Sequence, residues 1–153
     1  MAEFGTVRGM QDILPASWPM WEWVMAEAER VARLFGYRRI ETPTLAQTEL
    51  FIRTTGEGTD IVEKEMYSFQ DKGGEHLTLR PEGTAPVVRA YLQHGMQKWP
   101  QPVKLTFTGP MFRYDRPQAG RYRQFWQFDV EAIGDPGPAV DAEIIELGFR
   151  FYG

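Results

Sequence analysis

From Phe125 to Ala132 the sequence FWQFDVEA alternates without a break. In a β-strand successive side chains point to opposite faces. Phe125, Gln127, Asp129 and Glu131 therefore share one face, and Trp126, Phe128, Val130 and Ala132 share the other. The second face is apolar and fit for a core. The first carries an amide, two carboxylates and a single ring. Upstream, Asp115-Arg116-Pro117-Gln118-Ala119-Gly120 has the Pro/Gly chemistry of a turn and joins this strand to another that includes Met111. Four arginines crowd this loop: Arg113, Arg116, Arg121 and Arg123. Clustered arginine suits phosphate, and a lone Phe among acids suits stacking on a flat ligand. A solvated strand face accounts for the same alternation, so on pattern alone both readings stand.

Composition narrows the class. A chain of 153 residues, 42% hydrophobic and 14% aromatic, reads as one globular domain. The net charge of -4 gives no global basic surface for nucleic acid, so such a partner needs a local patch or another domain. The absence of cysteine excludes disulfides and thiolate metal sites. Two histidines, His76 and His94, lack HExxH spacing, and no metal site is expected from them. Ser17 and Ser68 lack the GxSxG elbow of a hydrolase. No GxxxxGK[ST] loop occurs, and no GxGxxG lies between a strand and a helix, so side chains on a sheet would have to hold any phosphate. The N-terminal MAEFGTVRGMQDILP lacks a secretory signal pattern. No apolar run approaches the ~20 residues of a membrane span. The expectation is a cytoplasmic protein without membrane association.

Taken in order, residues 4–16 read as a turn-rich lead-in with Gly5, Gly9 and Pro15. Ser17 is a candidate N-cap and Pro19 sits in the first turn of a helix. Its apolar face is Trp21, Val24, Ala28, Val31 and Phe35, and Gly36 ends it. Tyr37–Glu41 reads as a strand, Thr48–Arg53 as a brief helix and Thr54–Thr59 as a loop. Lys64–Gln70 and His76–Leu79 form a predicted hairpin. A helix is predicted from Glu82-Gly83-Thr84 to about Met96, burying Val87, Val88, Tyr91 and Leu92. Glu82 and Thr84 at its start have a plain structural explanation, since acids and Thr favour helix N-termini. Pro100–Thr108 reads as a strand. Asp135 is a candidate cap for a last helix with Pro136 at its first position, burying Val140, Ile144, Leu147 and Phe151. Strands arriving as hairpins rather than βαβ units predict an α+β fold, a mainly antiparallel sheet flanked by helices.

Several segments, in order and across essentially the whole chain, resemble the histidyl-tRNA synthetase family of class II aminoacyl-tRNA synthetases. GTVRGMQDILP looks like the family's N-terminal signature, and Gly36–Pro43 like motif 1, which builds a dimer interface. VEKEMYSF and LRPEGTAPVVRAY are similar to family-specific segments, and FRYDRPQAGRYRQFWQFDVE looks like motif 2. The resemblance implies that residues 1–153 are the N-terminal portion of a class II catalytic domain carrying motifs 1 and 2. It implies that Arg113 meets the α-phosphate of ATP and the substrate carboxylate, that Arg121 reaches the outer phosphates and that Phe125 stacks on adenine. Glu82 and Thr84 would hold the α-ammonium of histidine with Gln127 beside them, and Glu131 would accept a hydrogen bond from the imidazole. Arg113 and Gln127 are the catalytic expectations. ATP with Mg2+, histidine, tRNA(His) and a homodimer through motif 1 are the implied substrates and partners.

Motif 3, the histidine-specific segment and the anticodon-binding domain fall outside this sequence. The chain alone is therefore expected to have little aminoacylation activity, with Mg2+ ligands lying elsewhere. A second reading is the regulatory subunit of ATP phosphoribosyltransferase, built on the same fold. The set Glu82, Thr84, Arg113, Arg121, Gln127 and Glu131 argues for the synthetase, because a regulator has no chemical need of ATP-binding arginines.

Overall fold

The computed structural model describes residues 4–56 and 65–153. The sequence expectations for Glu57–Thr59 and for the strand start at Lys64 lie outside the described residues. The elements are α1 (Trp18–Leu34), β1 (Arg38–Arg39), β2 (Leu45–Gln47), α2 (Thr48–Thr55), β3 (Tyr67–Gln70), β4 (His76–Leu79), α3 (Thr84–Gln93), β5 (Val103–Phe112), β6 (Gln124–Ile133) and α4 (Pro138–Tyr152). They form two three-stranded sheets, ordered β1-β5-β6 and β2-β4-β3. The second is antiparallel, as expected from its hairpin. In the first, β1 pairs with β5 in parallel, Arg38 opposite Leu105. The α+β class holds, with this one parallel pairing inside it.

The chain divides into two compact units: residues 1–13, 43–86 and 109–127 in the first, and 14–42, 87–108 and 128–153 in the second. Each of the long strands β5 and β6 contributes residues to both.

In the first unit the antiparallel sheet is tied by hydroxyls. Ser68 Oγ lies 2.7 Å from Thr78 Oγ1, which donates to Thr48 Oγ1 at 2.9 Å. Thr78 is fully buried, so this chain supplies hydrogen bonds where water cannot reach. The hairpin turns at Asp71, whose Oδ1 accepts from the backbone N of Gly73 and Glu75. Arg80 is 1% exposed. Its Nε donates to the Pro110 carbonyl at 3.0 Å and its backbone bonds Thr44 and Phe112. A buried guanidinium demands such acceptors, and here it locks the segment before Glu82 to the end of β5.

The second unit packs α1 and α4 on β6. Val31, Ala32, Tyr37 and Leu147 form a buried cluster against Phe35, Phe128, Val130, Ala132 and Phe151. Phe128, Val130 and Ala132 are three of the four residues on the apolar face expected from the 125–132 alternation; the fourth, Trp126, belongs to the first unit. Burying Val31 contributes about 1.5–3 kcal/mol, whereas the exposed ion pairs Glu27–Arg30 and Glu29–Arg33 are solvent-screened and contribute less. Packing therefore fixes the position of α1. Gly36 ends the helix at φ +80, with its N–H bonded to Arg33 O and that of Tyr37 to Ala32 O. Lys104 binds the C-terminal carbonyl of Phe35 at 3.2 Å and pairs with Glu143 of α4 at 2.6 Å.

Local expectations fail where tertiary packing overrides pattern. Ser17 precedes α1 but makes no side-chain cap bond, its backbone being already helical. Val24 is 39% exposed and Leu92 61% exposed, so neither is core. Ala28 is buried as expected, and in α3 Ala85, Pro86 and Ala90 are buried beside the expected Val87 and Tyr91. The α3 helix stops at Gln93, and Met96 begins a separate 3-10 turn after the left-handed Gly95. Asp135 accepts from Gly137 N in a turn ahead of α4, and Pro138 rather than Pro136 opens that helix. The strand expected from Pro100 begins at Val103. β2 was not foreseen, because its few residues carry no alternation and it exists by pairing with β4.

Candidate functional site

The polar loop between β5 and β6 is short of regular structure: a bridge joins Gln118 to Arg121 around the left-handed Gly120. The sequence groups its four arginines together, and the structure gives them different tasks. Arg113, the residue after β5, donates from Nε to the Pro81 carbonyl at 2.8 Å. Its guanidinium carbon lies 5.2 Å from the centre of the Phe125 ring, within cation–π range. Its N–H bonds Arg123 O at 2.9 Å across the loop base. Arg121 is more than half exposed and ion-paired to the Asp115 carboxylate. Arg116 is exposed, its backbone N held by Asp115 Oδ1. Arg123 folds back over Tyr114, 3.8 Å from the ring centre, and its Nε donates to Asp115 O at 3.1 Å.

Phe125 and Gln127 follow on β6, both half-buried, at alternate positions. The Oε1 atom of Gln127 is buried and accepts no hydrogen bond among the described residues. An unsatisfied buried acceptor costs about 1–3 kcal/mol. A bound donor would remove that cost.

Glu82 also belongs to the first unit. Its carboxylate accepts from Thr84 N at 2.7 Å and from Ala85 N at 3.0 Å, closing the N-terminus of α3. The structural explanation available from sequence is therefore realised. The same bonds fix the orientation of the carboxylate, whose oxygens each have further acceptor capacity. Thr84 opens α3 and is exposed. The first unit thus contains Glu82, Thr84, Arg113, Arg121, Phe125 and Gln127.

Glu131 lies further along β6, in the second unit. It is half-buried, and its field reaches Tyr37. The Tyr37 phenol is pushed up to about 12, chiefly by burial, then by the negative charge of Glu143 and, less, that of Glu131. Lys104 sits 5.5 Å from the same ring and offsets Glu143. Among the described residues no cluster of three His, Cys, Asp or Glu side chains could hold a metal ion. No helix there is long and apolar enough to cross a membrane.

Sequence reasoning missed the partners of these residues. The Pro81 carbonyl under Arg113 and the Asp115 carboxylate on Arg121 carry no sequence signal of pairing. In the sequence Gly9 is one turn residue of the lead-in, yet its carbonyl accepts from Arg123 N at 2.7 Å. The signal available was the glycine itself, at φ +82.

A family model described as histidyl-tRNA synthetase matches residues 9–152. A Dehalococcoides mccartyi histidine–tRNA ligase is 59% identical over 145 residues, covering 95% of this chain and 35% of that relative. The apo Staphylococcus aureus histidyl-tRNA synthetase structure superposes with a TM-score of 0.83 at 43% identity, covering 98% of this chain and 34% of that one. A Bacillus halodurans protein described as an ATP phosphoribosyltransferase regulatory subunit/histidyl-tRNA synthetase gives a TM-score of 0.81 at 29% identity over 97% of this chain and 37% of its own. The chain spans about a third of the length of the relatives it matches. With a family model running through nearly every residue from the lead-in to α4, the chain belongs to the histidyl-tRNA synthetase family.

Proposed function

We propose that this chain is the motif 1 and motif 2 portion of a class II catalytic domain. In the whole protein it activates histidine with ATP and passes it to tRNA(His). The observation that carries the reading is the Arg113 guanidinium held by the Pro81 carbonyl beside the Phe125 ring. A fixed cation beside an aromatic face matches a nucleotide: phosphate on the fork, base on the ring. Arg121, itself more than half exposed and paired to the largely buried Asp115 carboxylate, can exchange Asp115 for the outer phosphates. Gln127, whose buried Oε1 accepts no bond among the described residues, would receive the α-ammonium of histidine together with Glu82 and Thr84. For Glu131, in the second unit, the family resemblance alone supports a role as acceptor for the imidazole.

In the reaction a histidine carboxylate oxygen attacks the α-phosphorus, and the bond to the pyrophosphate leaving group breaks. Charge builds on the α-phosphate oxygens, which the Arg113 guanidinium would neutralise. No protein nucleophile is required, because positioning and electrostatics lower such barriers. Removing one preorganised donor of this kind costs about 3–4 kcal/mol of barrier. Mg2+ accompanies ATP as part of the substrate, and no residue of this chain is assigned to it. We further assign the protein to the cytoplasm and to a homodimer through motif 1. The uncovered half of α1, with Met20 and Trp23 both over 60% exposed, supports the dimer.

The test has two arms. Calorimetric titration of the chain with MgATP should give binding that Arg113→Ala weakens at least about tenfold, the effect of losing about 1.4 kcal/mol. Equal affinity in variant and wild type would overturn the assignment of Arg113. Extending the chain with the remaining two thirds of the Staphylococcus aureus protein should give histidine-dependent ATP–pyrophosphate exchange. A folded chimera without exchange would favour the regulatory-subunit reading, whose supporting observation is the structural likeness to the Bacillus halodurans protein.

A further inference from the structure

Three observations converge on Arg123. Its backbone is a bridge, with its N–H donating to Gly9 O at 2.7 Å and its carbonyl accepting from Arg113 N at 2.9 Å. Its side chain is a brace, lying 3.8 Å from the Tyr114 ring centre and donating from Nε to Asp115 O at 3.1 Å. Finally, Gly9 fits against it with no spare room. A Cβ on Gly9 would stand 2.8 Å from Arg123 Cγ, and the φ of +82 disfavours any other residue. Both ends of the brace matter to the arginines that remain. Asp115, held through its carbonyl, carries Arg121 on its carboxylate and the backbone N of Arg116.

We propose that Arg123 is a positioning residue, clamped between Gly9 of the N-terminal lead-in and Tyr114, that holds the loop so that Arg113 and Arg121 face the nucleotide phosphates. It rests on the nucleotide reading above and adds to it a role for the lead-in. In this proposal Arg123 acts by holding the loop rather than by binding phosphate. Its guanidinium face is spent on Tyr114 and its Nε on a carbonyl. A composition-based reading groups it with the other arginines; the geometry separates it from them.

The experiment compares wild type, Gly9→Ala, Arg123→Ala, Arg123→Lys and Tyr114→Phe by amide hydrogen exchange of residues 113–124 and by MgATP titration. Gly9→Ala and Arg123→Ala should each speed exchange across the loop and weaken MgATP by about tenfold. The double variant should be no worse than the poorer single, because both break one clamp. Tyr114→Phe keeps the ring and should behave as wild type, and Arg123→Lys keeps a cation over it and should recover most of the affinity. Gly9→Ala removes no charge. If it leaves ATP affinity unchanged while Arg123→Ala lowers it, Arg123 is a direct phosphate ligand and the proposal falls. Unchanged exchange in both alanine variants also overturns it. If wild type binds no MgATP, the nucleotide reading fails on its own, and the exchange rates still decide whether the clamp exists.

Discussion

Arg113 and Phe125 face each other across the base of the β5–β6 loop, guanidinium carbon to ring centre 5.2 Å. Neither position is set by the other alone. The Pro81 carbonyl fixes the cation and the β6 backbone fixes the ring. The pair divides labour in a way that can be read separately. Phe125→Leu preserves apolar volume and removes the flat face. Base–aromatic stacking is worth about 1–3 kcal/mol per base, so MgATP affinity should fall by about five- to 150-fold. Histidine affinity, measured by calorimetry, should not change.

Gln127 offers a prediction in which stability and function move in opposite directions. Its buried Oε1 has no partner among the described residues. Gln127→Met keeps the length of the side chain and removes the unpaired acceptor. The ligand-free chain should gain about 1–2 kcal/mol in denaturant unfolding, while histidine binding weakens. A loss of stability in the free protein would show that Oε1 already has a structural partner.

Glu82 closes the N-terminus of α3 through both carboxylate oxygens. Glu82→Ala should cost about 1 kcal/mol, as loss of a capping side chain does. Glu82→Gln retains an acceptor and should recover much of that stability without recovering histidine affinity, because the α-ammonium requires the charge. Urea midpoints and histidine titrations on the two variants separate the structural role from the binding role.

Tyr37 makes stability depend on alkaline pH. Below about 10 the phenol is protonated whether folded or not, and it contributes no slope. Between about 10 and about 12 the unfolded chain releases the proton and the folded chain keeps it. The folded state then binds more protons, so stability falls as pH rises through that window. Two pH units correspond to a loss of roughly 2–3 kcal/mol at a site only 2% exposed. The difference in unfolding free energy between wild type and Tyr37→Phe, followed from pH 9 upward, should shrink by that amount. A constant difference would mean that Tyr37 ionises as easily folded as unfolded.

The sequence by itself determined what strict periodicity and local chemistry can encode. The alternation from Phe125 to Ala132 placed Phe128, Val130 and Ala132 in the helix-covered core, and the structure puts them there. Gly36 ended α1, Asp71 turned the hairpin, and the motif order pointed to the family that the comparison identifies. These features depend on residues near one another in the chain.

What only the tertiary structure decided is which side chains find one another across long separations. Arg80 and Pro110, Arg113 and Pro81, and Lys104 and Phe35 are backbone-carbonyl contacts, and a carbonyl has no letter in the sequence. The same holds for Val24 and Leu92, which have core spacing and lie exposed because burial depends on what packs opposite, not on helical period. The four loop arginines show the limit most clearly. Charge attracts phosphate and carboxylate alike, so composition groups them, while Asp115, Tyr114 and the glycine at position 9 assign each a different place.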